Sequence, residues 1–292
     1  MRIGADESVD RGCKRVVDQE LGEAARLARD RTLGADERIH EVRLCLKRAR
    51  AAVALVALEV GKPARRADDA LREIARGLGP LRDRAVAREA LPGLARKLGR
   101  RGDGIIARSS PLGRTLERAL ETEDAEGRLA EAADALERAP RALGHWHVGG
   151  GRRAASAGFE DAYRRGRRAY LRVRRDDEPA RFHSWRKAVK RLGYQVGLLE
   201  RRAPGAWKAE ARLKRLARML GDLHDLAVLR DLLERAGRDA SARGERDALL
   251  GVLDARASRL RRDARALGAA LFAERPSAVG RRVRKSWRRA EG

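Results

Sequence analysis

The chain has 292 residues, of which 43% are hydrophobic and only 3% aromatic, and its formal net charge is +25 at pH 7. This hydrophobic content is enough for a core and excludes a disordered chain. The positive charge favours a polyanionic partner: nucleic acid, polyphosphate or an anionic membrane surface.

Cysteine usage and the length of the apolar runs indicate the cellular compartment in which the protein is expected. Cys13 and Cys45 are too few for a disulfide framework, and Cys45 lies in a helical pattern where a buried free thiol is expected. The N-terminal stretch MRIGADESVDRG has no apolar signal-peptide core. The longest apolar run, Ala51 to Leu58, is far shorter than the roughly 18 residues of a membrane span. We therefore expect a cytoplasmic protein without a membrane segment.

An all-α fold is expected, because strand-length runs of β-branched and aromatic residues are nearly absent. In the first half the pattern predicts helices at 9–33, 36–60, 64–91 and 111–139, with a break near Gly127 left open. A linker at 140–151 separates them from helices at 153–175, 178–201, 205–236 and 241–273. Residues 274–292 have no evident apolar stripe, which predicts a loose basic tail.

Two motifs occur twice and in the same order. IHEVRLCLKRAR at 39–50 aligns with FHSWRKAVKRLG at 182–193, sharing His-x-x-Arg-x-x-x-Lys-Arg at an offset of 143 residues. LGPLRDRAV at 78–86 aligns with LGDLHDLAV at 220–228 at an offset of 142 residues. Two offsets that differ by a single residue indicate a tandem duplication.

The first motif places cations and a histidine on one helical face beside an apolar stripe. The residues on this face are His40, Arg43, Lys47 and Arg50 in the first half, and His183, Arg186 and Lys190 in the second. The stripes contain no acid, so repulsion among the cations is expected to persist until an anion binds. Arginine and lysine at turn spacing suit a chain of phosphates. Beside these cations we expect neutral histidines that take up a proton when phosphate binds.

At these duplicated motifs the chain resembles the CHAD domain, the conserved histidine alpha-helical domain, over residues 9–273. The resemblance implies two tandem four-helix bundles, 9–139 and 152–273, related by a pseudo-twofold axis around a basic central cavity lined by the histidine-bearing helices. It also implies binding of inorganic polyphosphate without catalysis, and association with polyphosphate granules in some members. Carried over residue by residue, it gives these candidate polyphosphate ligands: His40, Arg43, Lys47, Arg48, Arg50, Arg82, His183, Arg186, Lys187, Lys190, Arg191 and Tyr194.

Asp83 and Asp225 are expected to orient these cations or to cap backbone groups. Two positions depart from the family pattern: Gly193 stands where arginine is usual, and His224 stands where asparagine is common. Unequal binding by the two halves is therefore expected.

Other readings of the sequence are less favoured. His145 and His147 have no nearby carboxylate or thiolate to complete a metal site, and the glycines at 149–151 lack the Gly-Lys-Ser/Thr ending of a phosphate loop. We expect no metal, no cofactor and no enzymatic activity, since the Glu-x-Glu-x-Lys strand of triphosphate tunnel metalloenzymes is absent and a phosphorelay histidine would not be duplicated. Nonspecific nucleic-acid binding remains the alternative, although no known nucleic-acid-binding signature is found. The sequence leaves the oligomeric state open.

Overall fold

The computed structural model describes residues 2–4, 6–107, 109–121, 124–143, 147–236 and 242–291. Within these ranges all regular secondary structure is helical, which confirms the all-α prediction. The α-helices are α1 Val9–Arg29, α2 Ala35–Val60, α3 Lys62–Gly77, α4 Gly79–Ala95, α5 Arg100–Ile106, α6 Pro111–Leu120, α7 Ala125–Leu143, α8 Gly151–Val173, α9 Pro179–Leu199, α10 Glu210–Ala236, α11 Arg243–Leu271 and α12 Pro276–Glu291. A short 3-10 helix, Arg96–Leu98, lies between α4 and α5.

Several helix boundaries differ from the predicted ones. The helix predicted at 64–91 is two helices that meet at Leu78, because Pro80 in the first turn of α4 has no N–H to continue the preceding helix. The break in the predicted helix 111–139 falls after Leu120, before Gly127, and α7 continues into the predicted linker. The third helix of the second half begins at Glu210, five residues later than expected.

The helices contact one another in two rings that meet along their motif-bearing members. In the first ring α1, α2, α3 and α7 each contact two neighbours, and in the second α8, α9, α10 and α11 do the same. The rings meet where α2 packs against α8 and α9, and beside this junction α4, which lies outside the first ring, packs against α10 and α2. Both copies of the histidine motif and both copies of the Leu-Gly motif therefore lie on helices at the junction.

Two contacts with the backbone of α2 hold α8 and α9 against it. A Cβ atom added at Gly158 of α8 would lie 1.8 Å from the carbonyl oxygen of Leu55, so only glycine permits this approach. The fully buried Gln195 of α9 donates from Nε2 to the carbonyl oxygen of Ala51, at 3.2 Å. These contacts set the spacing between the two histidine-motif helices.

Both cysteines are buried and unpaired, as predicted for Cys45. Burial raises the pKa of the Cys45 thiol to about 12, so the thiol stays protonated and behaves as a small apolar side chain. No helix in the described ranges is long and apolar enough to cross a bilayer.

The predicted loose tail is wrong: α12 is a packed helix. Val279, Val283 and Trp287, spaced four residues apart, are buried, and α12 lies against α8. The guanidinium of Arg202 stacks 5.0 Å above the Trp287 ring, and Ser286 Oγ donates to the carbonyl oxygen of Pro204 at 2.6 Å. The stripe is only one side chain wide and is surrounded by arginines, which obscured it in the sequence.

Substituting Trp287→Ala should lower the free energy of unfolding by about 3 to 5 kcal/mol, because the indole is completely buried. Urea denaturation followed by circular dichroism measures the change. The matched control is Arg288→Ala, which removes an exposed neighbour in the same helix and should change stability by less than about 0.5 kcal/mol. Equal stabilities of the two variants would show that α12 does not pack against α8.

Candidate anion-binding site

Five cations from three helices meet where the two rings join. They are Arg43 and Lys47 of α2, Arg82 of α4, and Arg186 and Lys190 of α9. We call these five residues the central cluster. Their charges are close enough to interact, since all four of the other cations lower the pKa of Lys47. The cluster combines residues from both halves of the duplication.

The two lysines of the central cluster have pKa values close to neutral pH. Burial, and then the neighbouring cations, lower the pKa of Lys47 from 10.5 to about 7. Burial and the charge of Arg186 lower the pKa of Lys190, the equivalent residue in the repeat, to about 8. Neither ammonium group has an ion pair or hydrogen bond within the described part of the chain. A bound anion would favour the charged form of both lysines.

The two equivalent arginines carry donors that the protein does not satisfy. Nε of Arg43 and Nε of Arg186 are buried and have no hydrogen-bond partner among the described residues. Nη1 of Arg43 donates to the carbonyl oxygen of Ala75, in the last turn of α3. Buried unsatisfied donors are destabilising, and a phosphate oxygen is a strong acceptor for a guanidinium.

One aspartate accompanies each arginine. Burial lowers the pKa of Arg43 and of Arg186, and the largest opposing effect comes from Asp83 in the first case and Asp225 in the second. Burial also raises the pKa of both aspartates, against the nearby guanidinium charges. Two carboxylates thus face five cations, so the cluster retains an excess of positive charge. The orienting role expected of the aspartates stays a prediction.

His40 lies at the open end of the central cluster. Its side chain is 47% exposed, and with Arg82 it lines a cavity of about 530 Å³ between α2 and α4. Burial, and then the charge of Arg82, lower the pKa of His40. Asp36, Glu37 and Glu89 also line this cavity, so the surface beside His40 and Arg82 carries both signs of charge.

His183 is held differently, by a second histidine. Its Nδ1 lies 3.2 Å from Nδ1 of His224, so one ring donates and the other accepts. Burial, followed by charges that include Arg186, lowers the pKa of His183 to about 4 and that of His224 to about 3, so both rings are neutral at pH 7. In the repeat, His224 occupies the position of Arg82. The sequence singled out His224 only as a departure from the family pattern, although that equivalence could have indicated its contact with His183.

Three predicted ligands lie beside carboxylates from neighbouring helices. Arg50 forms two hydrogen bonds with Asp68 of α3, at 2.8 and 3.0 Å, and Arg191 approaches the same carboxylate at 3.8 Å. Arg48 lies 3.6 Å from Glu20 of α1. The expectation that no acid relieves these stripes is therefore wrong for Arg50, because spacing along one helix cannot reveal acids on its neighbours.

The last two predicted ligands lie at the edges of the central cluster. Burial raises the pKa of Tyr194, while the charges of Arg48 and Arg186 act in the opposite direction. Lys187 is exposed, and its pKa is lowered by burial and by the charges of Arg50, Arg186 and Arg72. Arg72 was not among the predicted residues, since it lies outside both duplicated motifs.

The histidine pair of the linker is only partly described. His145 lies outside the described residues. His147 is 84% exposed, and its Nδ1 lies 3.9 Å from an Asp10 carboxylate oxygen, so the expectation that no carboxylate lies nearby is wrong for His147. No group of three metal-ligating side chains occurs in the described ranges, and the expectation that no metal binds stays a prediction.

Comparison with known proteins gives one family and one informative structure. The family model of the CHAD domain matches residues 14–234. The chain is also similar to a solved structure described as the crystal structure of the CHAD domain from the plant Ricinus communis, with 22% sequence identity and a TM-score of 0.58. That match covers 94% of this chain and 97% of the plant chain, and at this identity it shows the fold alone. No curated protein matches the sequence.

The chain without ligand should become more stable as the pH rises. Lys47 and Lys190 have an ordinary pKa of 10.5, whereas their values in the folded chain are about 7 and about 8. The unfolded chain therefore binds more protons in this window, and the free energy of unfolding should increase between pH 7 and pH 10 and decrease on acidification. Urea denaturation across this range should show a shallower increase for Lys47→Met than for the unmodified chain. Identical pH dependence in both would contradict the depressed pKa of Lys47.

Proposed function

Because the chain belongs to the CHAD domain family, a family associated with polyphosphate binding, we propose that it binds inorganic polyphosphate at the central cluster. One observation carries the proposal: two lysines and three arginines from both halves lie together, and in the described part of the chain the carboxylates that oppose them are those of Asp83 and Asp225. Such an arrangement is unfavourable until an anion neutralises it.

The chemistry of the central cluster suits a chain of phosphates. Each guanidinium can donate parallel hydrogen bonds to phosphate oxygens, and the buried Nε atoms of Arg43 and Arg186 supply donors that lack partners among the described residues. Lys47, whose pKa is about 7, would take up a proton as phosphate approaches, and the charged form of Lys190 would be favoured further. A flexible polymer with a charge on every unit can contact all five cations in turn, whereas a single phosphate cannot.

We further propose that the two rings of helices form four-helix bundles related by a pseudo-twofold axis through the central cluster, as the duplication predicts. Three pairs of repeat-equivalent residues support this relation: Lys47 with Lys190, Arg43 with Arg186, and Asp83 with Asp225. Arg82 and His224 break it, since the first half has a permanent cation where the second has a neutral imidazole. Stronger binding on the His40 side is the expected result.

Binding without catalysis is the activity we propose. Nδ1 of His183 is hydrogen-bonded to Nδ1 of His224. The pKa of His183, about 4, is too low for a general base that exchanges protons near neutral pH. The charges of Arg82, Lys47 and Lys190 act on His40, while its Nε2 lies 4.0 Å from a Glu41 carboxylate oxygen. Association with polyphosphate granules in the cytoplasm would follow from binding of this kind.

The double substitution Lys47→Met, Lys190→Met should weaken polyphosphate binding without lowering the stability of the fold. Removing two charge-assisted contacts should weaken polyphosphate binding at pH 7 by about a hundredfold or more. The same change removes two partly buried cations that repel their neighbours, so the free energy of unfolding should stay unchanged or increase. Isothermal titration calorimetry with long-chain polyphosphate, together with urea denaturation, measures both effects.

Arg256→Ala, Arg259→Ala is the matched control. These arginines are exposed on α11 and have no ion pair within the described ranges. The control removes the same formal charge but should change affinity only slightly. If the control weakened binding as much as the lysine variant, net charge alone would explain binding. The assignment of the binding site to the central cluster would then be wrong.

Competition distinguishes polyphosphate from nucleic acid. At equal phosphate concentration, duplex DNA and single-stranded RNA should displace labelled long-chain polyphosphate poorly, because the half-buried Tyr194 at the edge of the cluster offers little surface for base stacking. Fluorescence anisotropy of the labelled polymer provides the readout. Displacement at comparable concentration by either nucleic acid would favour the nonspecific alternative.

A further inference from the structure

A second group of cations lines a groove between α8 and α9. The groove has a volume of about 360 Å³, and its charged lining residues are Arg165, Arg168, Arg172, Lys187 and Arg191. Three alanines and Ser184 complete the lining. We call this feature the α8–α9 groove. All its charged lining residues are positive.

The groove is formed by two facing rows of side chains. Arg165, Arg168 and Arg172 are three and four residues apart, so they share one face of α8 along about 10 Å. Lys187 and Arg191 are one turn apart on α9. A connection of five residues joins the two helices, which is typical of antiparallel neighbours. A linear ligand could therefore lie between the rows along the helix axes.

The cations of the groove are largely unneutralised. Arg168, Arg172 and Lys187 are exposed and have no ion pair or side-chain hydrogen bond in the described part of the chain. One turn earlier in α8, by contrast, Arg164 pairs with Glu160 at 2.7 Å, and Arg165 with Asp161 at 2.6 Å. Acids thus support the start of this arginine row but not its continuation.

The α8–α9 groove adjoins the central cluster. Lys187 follows Arg186 of the cluster directly in α9, and the charges of Arg186 and of Arg50 from α2 both lower its pKa. The charges of Arg50 and Arg165 act in the same direction on Arg191. Lys187 and Arg191 therefore connect the groove to the side of the cluster formed by α2.

We propose that a polyphosphate chain held at the central cluster continues into the α8–α9 groove, where Arg168, Arg172 and Lys187 bind a second stretch of the same polymer. This inference rests on the proposed function and extends it to chain length. A polymer long enough to occupy both sites gains the contacts of the groove, whereas tripolyphosphate fills only the cluster. A phosphate polymer fits better than nucleic acid, because no aromatic side chain lines the groove.

The test compares long-chain polyphosphate with tripolyphosphate on the full chain. In Arg168→Ala, Arg172→Ala the dissociation constant for the long polymer should rise by roughly two- to thirtyfold, as expected for two exposed charge pairs. The constant for tripolyphosphate should stay unchanged. The slope of log affinity against log salt for the long polymer should become shallower by about 2, one for each lost phosphate contact. Arg256→Ala, Arg259→Ala again serves as the control with the same charge.

Each other outcome overturns the inference in a recognisable way. An unchanged affinity for the long polymer, or a change no larger than the control, would show that the groove binds no part of it. Equal weakening of the binding of long-chain polyphosphate and of tripolyphosphate would show that the two arginines act only through the overall electrostatic potential of the protein. Weakened binding of a single-stranded oligonucleotide, with polyphosphate unaffected, would assign the groove to nucleic acid. Failure of the proposed function looks different, since the unmodified chain would then bind neither polyphosphate.

Discussion

Repulsion among buried like charges at the junction of the two rings is the constraint on which the rest of the structure depends. Burial, and then the charges of neighbouring arginines that include Arg186 and Arg82, lower the pKa of Lys47 to about 7 and that of Lys190 to about 8. The free energy that holds them together comes from elsewhere: apolar cores on both sides, and the backbone contact of Gly158 with Leu55. A fold that stores unfavourable charge at one place needs rigid packing around it.

The duplication repeats the charged pairs but not their surroundings. Arg43 with Asp83 and Arg186 with Asp225 are equivalent pairs, and in both burial lowers the pKa of the arginine while the aspartate opposes it. Around them the halves have diverged: Arg50, held by Asp68, corresponds to Gly193, and the Ala51 position corresponds to Tyr194. The first half leaves His40 open beside Arg82, whereas the second half closes His183 against His224 and carries the α8–α9 groove on its outer face.

The sequence predicted the features that depend on spacing along one helix. Arg43 and Lys47 share a face because a helix turns about 100° per residue, and their repetition at Arg186 and Lys190 located the junction. Features that depend on a second helix were not predictable in this way. Asp68 neutralises Arg50 from α3, and nothing in the α2 sequence indicates this. Trp287 was missed because one apolar residue per turn among arginines resembles a solvated segment, until α8 is present to cover it.

The depressed pKa of Lys47 also changes what the formal net charge of +25 means. That number counts every lysine as protonated, but near pH 7 a lysine with a pKa of about 7 carries its proton only about half of the time. The charge of the folded protein is therefore a variable that bound anions can raise. Electrophoretic mobility near pH 7 would then reflect the protonation of Lys47 at the junction as well as the composition of the chain.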